Sequence, residues 1–286
     1  MSIKFGAAGN SDSFYVEGHK ASEEMPAWLA SRGLDAYEYQ CGNGVRCGAA
    51  TAEKIRAAAE QAGITLSVHS PYYINLATPE EKKRVGSIRY IMQTLELAKR
   101  FDSDRIVVHS GAIGKLTREE ALENAKLTLA LAKQEMVAQG FENIHLCIET
   151  MGKINQLGDL DEVMELCQVD DSFLPCIDFG HLNARTLGGI SAKEDYAAIL
   201  DTMENRLGAD RAKIFHSHFS KIEYTKGGEK KHLTFEDDTF GPIFEPLGEL
   251  LYERGWTPTI ICESAGTQAE DALYMKKAYL ANKQGD

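Results

Sequence analysis

The strongest constraint on the fold is the regular alternation of short apolar runs with longer amphipathic stretches along the chain. The apolar runs predict buried strands. In the longer stretches between them, apolar residues recur at the intervals that are typical of a helix. Such alternation favours a parallel sheet with right-handed crossovers, because parallel neighbours need a long connection. The predicted strands are Ile3–Ala8, Ala36–Gln40, Thr65–Ser70, Arg105–Ser110, Ile144–Thr150, Leu174–Gly180, Lys213–Phe219 and Pro258–Ser264.

Helical patterns follow most of these strands, and several have recognisable ends. Thr117 is a candidate N-cap before two glutamates, and Gly140 and Gly63 follow two helices as terminating residues. The predicted helices are Thr51–Ala62, Glu80–Arg100, Arg118–Gln139, Asp159–Cys167, Lys193–Arg206, Pro242–Glu253 and Gln268–Asn282.

Two α/β architectures fit this alternation, an open doubly wound sheet and a closed (β/α)8 barrel. The residues Gly6-Ala7-Ala8-Gly9 after the first strand do not match the dinucleotide-binding fingerprint G-x-G-x-x-G. The length of 286 residues suits a barrel, which typically needs about 250. We therefore predict that residues 1–286 form one domain, a (β/α)8 TIM barrel.

Metal-binding residue types collect at the C-terminal ends of the predicted strands, the end at which TIM barrels carry their active sites. Burying so many ionisable groups together without a compensating ion would be costly. Imidazoles mixed with carboxylates suit zinc, with manganese or iron as alternatives, and their number predicts at least two ions. The residues are His69, His109, Glu149, Asp178, His181, His216, His218, His232 and Glu263.

Five short blocks resemble, in order and spacing, those of the endonuclease IV family, metal-dependent apurinic/apyrimidinic endonucleases on a xylose-isomerase-like TIM barrel. The most specific block is His69-Ser70-Pro71-Tyr72-Tyr73-Ile74-Asn75-Leu76, which matches H-x-x-Y-x-I-N-L. The resemblance covers essentially the whole chain and implies hydrolysis of duplex DNA 5′ to abasic sites in base-excision repair. The other blocks are Val108–Gly111, Glu149–Gly152, Asp178–His181 and Cys262–Ser264.

The resemblance also implies three zinc ions and a place for each ligand. His69, His109 and Glu149 would hold the first ion, and Glu149 would bridge to a second ion held by Asp178, His216 and Glu263. His181 and His232 would hold a third ion, with Glu149 and Glu263 serving in catalysis.

The third site departs from the family pattern, because Lys230-Lys231-His232 stands where the family has D-x-H. The histidine expected after the first strand is also absent, with Gly6-Ala7-Ala8-Gly9 in its place. The candidates for the missing ligand are His218, Glu229 and an acidic residue among 236–238.

DNA would have to be gripped by loops at the same end of the barrel, and Arg46, Tyr72 and Lys221 are the candidate contacts. The net charge of −12 argues against a protein that coats nucleic acid by bulk electrostatics, but cationic metals and a local basic rim would offset it. Two other functions stay open. One is a sugar isomerase or epimerase that uses one or two divalent ions, and the other is a non-catalytic barrel that binds metal or nucleic acid.

The six cysteines contain no CxxC pair, and free thiols are favoured over a bridge between Cys41 and Cys47. The N-terminal residues show no signal-peptide pattern, and no apolar run approaches the roughly 18 residues of a membrane span. We therefore expect a cytoplasmic protein with no membrane partner, and the resemblance suggests a monomer.

Overall fold

A computed structural model describes residues 2–284, so Met1 and residues 285–286 of the predicted domain lie outside the described residues. Within that range the strands are β1 Lys4–Ala8, β2 Ala36–Gln40, β3 Thr65–His69, β4 Arg105–His109, β5 His145–Glu149, β6 Leu174–Asp178, β7 His216–Phe219, β8 Ile222–Thr225, β9 Gly228–His232 and β10 Thr259–Cys262. All but β8 and β9 pair in parallel in the closed order β1-β10-β7-β6-β5-β4-β3-β2. Because β1 pairs with both β2 and β10, the sheet has no open edge, and the predicted (β/α)8 barrel is confirmed.

Helices surround this barrel, and the long predicted ones are present with ends shifted by a few residues. Short helices after β1, after β6 and before β7 were not predicted from the sequence. The helices are α1 Asp12–Val16, α2 Met25–Ser31, α3 Ala49–Ala62, α4 Glu81–Phe101, α5 Arg118–Ala138, α6 Leu160–Cys167, α7 Phe179–Arg185, α8 Lys193–Leu207, α9 Ala209–Ala212, α10 Glu245–Arg254 and α11 Gln268–Ala281, with 3-10 turns at Ser22–Glu24 and Asn282–Gln284.

The predicted helix ends follow from local hydrogen bonding. The Thr117 side chain accepts the backbone N–H of Glu120, and the Glu120 carboxylate accepts the backbone N–H of Thr117 in return. This reciprocal pair satisfies two amides that an uncapped helix would leave open. Gly63 ends α3 with a φ of 69°, a left-handed conformation that glycine adopts without strain.

Seven of the eight predicted strands are one to three residues shorter in the structure, and two of the larger differences have a local cause. The strand predicted to reach Gly180 ends at Asp178, because the Asp178 carboxylate accepts the backbone N–H of His181 and caps α7. The strand predicted from Lys213 begins only at His216, because the residues before it form α9 and a turn.

An antiparallel hairpin of β8 and β9 follows β7 and was not predicted. Its sequence is polar and rich in lysine and glycine, so it lacks the apolar alternation that indicates a strand. Backbone hydrogen bonds from Glu229 to Gly152 and from Ile154 to Gly227 join the hairpin to the loop after β5. The hairpin therefore lies beside the C-terminal ends of the barrel strands.

The main apolar core lies between the barrel and its helices and includes Phe5, Tyr37, Phe179 and Tyr196. All six cysteines are free thiols, as the sequence analysis favoured. Among residues 2–284, no helix is long and apolar enough to cross a membrane.

The contact between β1 and β2 predicts a strong requirement for Gly6. A Cβ at Gly6 would lie 2.2 Å from the carbonyl oxygen of Ala36, so Gly6→Ala should lower the free energy of unfolding by about 1–3 kcal/mol. Gly86→Ala in α4 is the matched control, because nothing lies within 4 Å of an added Cβ there and alanine favours a helix. Thermal and denaturant unfolding measure both variants, and equal midpoints would contradict the close approach of the two strands.

Candidate metal centre

The centre is built around Glu149, which ends β5 and is 1% exposed. Its Oε2 atom lies 3.0 Å from His109 Nε2 and 3.2 Å from His69 Nε2. Its Oε1 atom lies 3.1 Å from His218 Nδ1 and 3.4 Å from His181 Nδ1. The four imidazoles come from different strand ends, so the barrel brings one carboxylate into contact with histidines from four directions.

Two groups of donor atoms share Glu149. His69, His109 and Glu149 form one group, and Glu149, Asp178, His218 and Glu263 form the other; within each group the donor atoms lie within 4.8 Å of one another. The sequence analysis placed these residues together, with one exception. His216, the expected ligand beside Asp178 and Glu263, is not in either group.

Strand register explains why His218 takes the position expected for His216. Both side chains point into the barrel, since residues two apart on a strand share a face. Asp178 is paired with His218, whereas Cys176 is paired with His216. Two residues along a strand are about 6.6 Å, so His216 lies one layer deeper than the carboxylates at the strand ends.

A third group combines His181, Glu229 and His232, whose donor atoms also lie within 4.8 Å of one another. The family has an aspartate at this site that this chain lacks. Of the three candidates to replace it, Glu229 on β9 is the one that the structure brings to this group. Lys230 instead forms an ion pair with Glu223 at 2.5 Å. Gly152 leaves space for the group, because a Cβ there would lie 2.7 Å from the Cβ of Glu229 and 2.9 Å from His181 Cδ2.

The histidines are oriented as metal ligands usually are, with one ring nitrogen held by the protein and the other directed to the group. Nδ1 of His69 and of His181 donate to the backbone carbonyl oxygens of Ser70 and Thr150 at 2.8 and 2.9 Å. Nδ1 of His232 is 2.8 Å from the Ser220 hydroxyl, which leaves its Nε2 available.

An unsatisfied oxygen lies in the same place. Asp178 Oδ2 is buried and accepts no hydrogen bond from the described residues. His181 Nδ1 lies 3.3 Å from it but donates to the carbonyl oxygen of Thr150, so this buried oxygen accepts no hydrogen bond within the described part of the chain, which is costly, and a cation would satisfy it. The donor set, the ring orientations and this oxygen all fit a divalent metal ion.

The electrostatics of the site are those of tightly coupled opposite charges. Burial alone would raise the pKa of Glu149, but His109 and His218 hold that pKa well below its usual range. Burial alone would lower the pKa of His181, but Asp178 and Glu149 raise it well above its usual range. Protons and cations would therefore compete for the same imidazole nitrogens.

Glu38, near the middle of β2, is a buried carboxylate beneath the centre that the sequence analysis missed. It is 0% exposed and accepts hydrogen bonds from His216 Nε2 and His218 Nε2, each at 2.9 Å. Burial alone would raise its pKa, but His218 and His216 hold it well below its usual range, whereas burial lowers the pKa of His216 to about 4. Its signal in the sequence was a lone carboxylate between two tyrosines of a buried strand, where alternation directs it into the barrel.

The three predicted substrate contacts have different environments. Tyr72 is 60% exposed, and its ring centroid lies 5.8 Å from that of His69 and 5.4 Å from that of His109. Arg46 is exposed in the loop after β2, and this loop reaches Tyr72 through a backbone hydrogen bond from Tyr72 to Gly42. Lys221 is not free to contact a substrate, because its ammonium donates to the backbone carbonyl oxygens of Phe235 and Asp237.

Comparison with known proteins identifies relatives along most of the chain. A family model described as a xylose isomerase-like TIM barrel matches residues 26–280. An uncharacterised protein of Methanocaldococcus jannaschii is 34% identical over 248 residues, which cover 87% of this chain and 88% of that protein. A probable endonuclease 4 of Aster yellows witches'-broom phytoplasma is 28% identical over 196 residues, 66% of this chain but only 63% of that protein.

Solved structures share the fold at low identity. A D-tagatose 3-epimerase-like protein superposes with a TM-score of 0.74 at 21% identity, over 99% of this chain and 100% of that chain. Endonuclease IV from Thermus thermophilus superposes with a TM-score of 0.68 at 19% identity, again over 99% and 100%. At these identities the superpositions show a shared barrel only.

The donor geometry predicts that divalent ions stabilise the fold. Zinc added to chelator-treated protein at about 100 times its Kd should raise the melting temperature by about 5 °C or more. Glu149→Ala should remove most of this rise, because two donor groups share Glu149. The exposed Glu142→Ala is the control for loss of an acidic residue. Differential scanning fluorimetry makes the comparison, and an equal rise in Glu149→Ala would contradict the assignment.

Proposed function

This chain belongs to the xylose isomerase-like TIM barrel family as a divergent relative of endonuclease IV, and we propose that it is a metal-dependent hydrolase that cuts duplex DNA 5′ to abasic sites. The observation that carries the proposal is the sharing of Glu149 between two donor groups, with a third group beside them. A row of adjoining sites suits phosphodiester hydrolysis, in which the attacking and leaving oxygens both need stabilisation.

Each donor group would hold one ion, and we propose zinc because the groups combine imidazole with carboxylate; manganese or iron are the alternatives. Bound divalent ions supply Lewis acidity, which lowers the pKa of coordinated water and offsets charge on phosphoryl oxygens. The ligands would be His69, His109 and Glu149; Glu149, Asp178, His218 and Glu263; and His181, Glu229 and His232.

Glu149 and Glu263 would have different roles in the reaction. Glu149 faces histidines with both of its oxygens, so its orientation is held from two sides and it would orient the attacking water. The Glu263 side chain is 16% exposed, against 1% for Glu149, so it would be the carboxylate that accepts a proton beside the solvent. Attack on phosphorus would break its bond to the 3′ oxygen, and the proton that Glu263 takes from the attacking water would pass to that oxygen, which leaves as a hydroxyl group.

DNA recognition would use the loops around the barrel mouth. Tyr72 lies above two candidate ligands with more than half of its surface free, so it would pack against the sugar or a neighbouring base. Arg46 would contact a phosphate from the loop that Tyr72 adjoins. Lys221 is not included, since its ammonium already has two carbonyl partners.

A sugar epimerase is the second candidate, and two observations favour it. Glu149, Asp178, His218 and Glu263 form a complete set of four donors around one position, with two glutamates that could exchange protons with a small substrate. The acidic net charge also suits a small substrate better than DNA. The histidine-rich first and third groups have no evident use in such a reaction.

The proposed activity predicts incision of a duplex oligonucleotide that carries one abasic analogue, with added zinc or manganese. Glu149→Gln should reduce kcat/KM by about 100-fold or more, because it weakens two donor groups at once. The exposed Glu142→Gln should retain activity. Absence of incision by protein that contains at least two ions would exclude the endonuclease, and epimerisation of a ketose by the same preparation would support the second candidate.

The proposed DNA contact predicts a specific effect of Arg46→Ala. Loss of one phosphate contact should weaken duplex binding by about 3- to 10-fold and reduce the slope of log K against log salt by about 1. Arg56→Ala is the matched control, because Arg56 lines a cavity at the opposite end of the barrel with Lys4 and Thr259. Fluorescence anisotropy at several salt concentrations tests this, and equal effects of the two variants would contradict a contact at Arg46.

A further inference from the structure

Directly beneath the second donor group lies a buried polar layer that the proposed chemistry does not use. It consists of Glu38 and the groups around it, and it touches the candidate ligands through His218. On the premise that the proposed metal centre is correct, we propose that Glu38 is a positioning residue that fixes the ring orientation and tautomer of His218.

The two ring nitrogens of His218 have different partners. Nε2 donates to Glu38 Oε1 at 2.9 Å, while Nδ1 lies 3.1 Å from Glu149 Oε1 and 3.6 Å from Glu263 Oε1. A neutral imidazole carries one proton, so an Nε2–H held by Glu38 leaves the Nδ1 lone pair directed at the carboxylates. Glu38 thereby selects the nitrogen that faces the ion.

Glu38 can do this because its own carboxylate is held firmly. Ser67 Oγ donates to its Oε2 atom at 2.8 Å, and Gln40 Nε2 donates to its Oε1 atom at 3.1 Å. His216 Nε2 donates to Oε2 at 2.9 Å from within the same layer. With four donors and no solvent contact, the carboxylate has little freedom to rotate.

The same contacts give His216 a role. Its Nε2 is used by Glu38, and its Nδ1 has no hydrogen-bond partner among the described residues. His216 therefore helps to hold the Glu38 carboxylate in place, and it contributes to the metal centre only through Glu38. His216, the first histidine of β7, is thus placed beneath the ligand histidine and not beside it.

A carboxylate behind a metal-binding histidine raises the basicity of the ring and reduces the entropy lost when the ion binds. Removing such a partner typically weakens metal binding by about 10- to 100-fold. A residue that only fills the barrel interior would alter unfolding without changing the affinity of one ion selectively.

The test is titration of chelator-treated protein with zinc against a chromophoric chelator, and with Co²⁺, whose absorption reports ligand geometry. Glu38→Gln keeps the side-chain volume but loses one acceptor oxygen, so one ion should bind about 10- to 100-fold more weakly and its Co²⁺ spectrum should change. Ser103→Ala is the control, because its buried hydroxyl donates to the backbone carbonyl oxygens of Leu66 and Arg105 and not to Glu38, so its affinities should stay close to wild type.

Glu38→Asp is the second variant, in case Glu38→Gln does not fold. It keeps the charge but withdraws the carboxylate from His218 by one methylene, so binding of the same ion should be weakened, but less than in Glu38→Gln. Affinities within about twofold of wild type for every ion in a folded Glu38 variant would overturn the inference. Wild-type protein that binds no ion would overturn both the centre and this inference, whereas metal binding without DNA incision would contradict only the endonuclease.

Discussion

The interaction on which the site depends is the burial of the Glu149 carboxylate among histidines from several strands. A carboxylate with almost no exposure is stable only when it is paired, and both of its oxygens face imidazole nitrogens. Because the partners lie on different strands, the closed barrel is a requirement for the site and not merely its support. In an open sheet β3 and β7, each two strands away from β5, would lie about 10 Å from it, too far for their histidines to contact the same carboxylate.

The polar residues inside the barrel lie in two layers, and the two layers have different functions. The upper layer, at the strand ends and in the segments that follow them, holds the two donor groups that share Glu149 and the group of His181, Glu229 and His232. The layer below holds Glu38 and His216, which contact the upper layer through His218. Barrel interiors are usually filled by branched apolar side chains. A fully hydrogen-bonded carboxylate there indicates that this part of the interior orients the ligands above it.

Much of this could be predicted from the sequence, because short apolar runs mark strands and a parallel barrel brings their C-terminal ends together. Three features of the site could not be predicted from the sequence. His216 and His218 share a face, so only the register against β6 shows which one lies beside Asp178. The hairpin that carries Glu229 lacks apolar alternation. Glu38 lies near the middle of a strand, where no rule about strand ends would find it. Each depends on contacts between distant segments.

A zinc-edge anomalous diffraction map of crystals grown with Zn²⁺ tests the metal centre around Glu149 directly. The account predicts one peak among His69, His109 and Glu149, and a second among Glu149, Asp178, His218 and Glu263, with the His216 ring bonded to Glu38 below them. A map with no peak at Glu149, or with zinc bound by His216 in place of His218, would contradict the account.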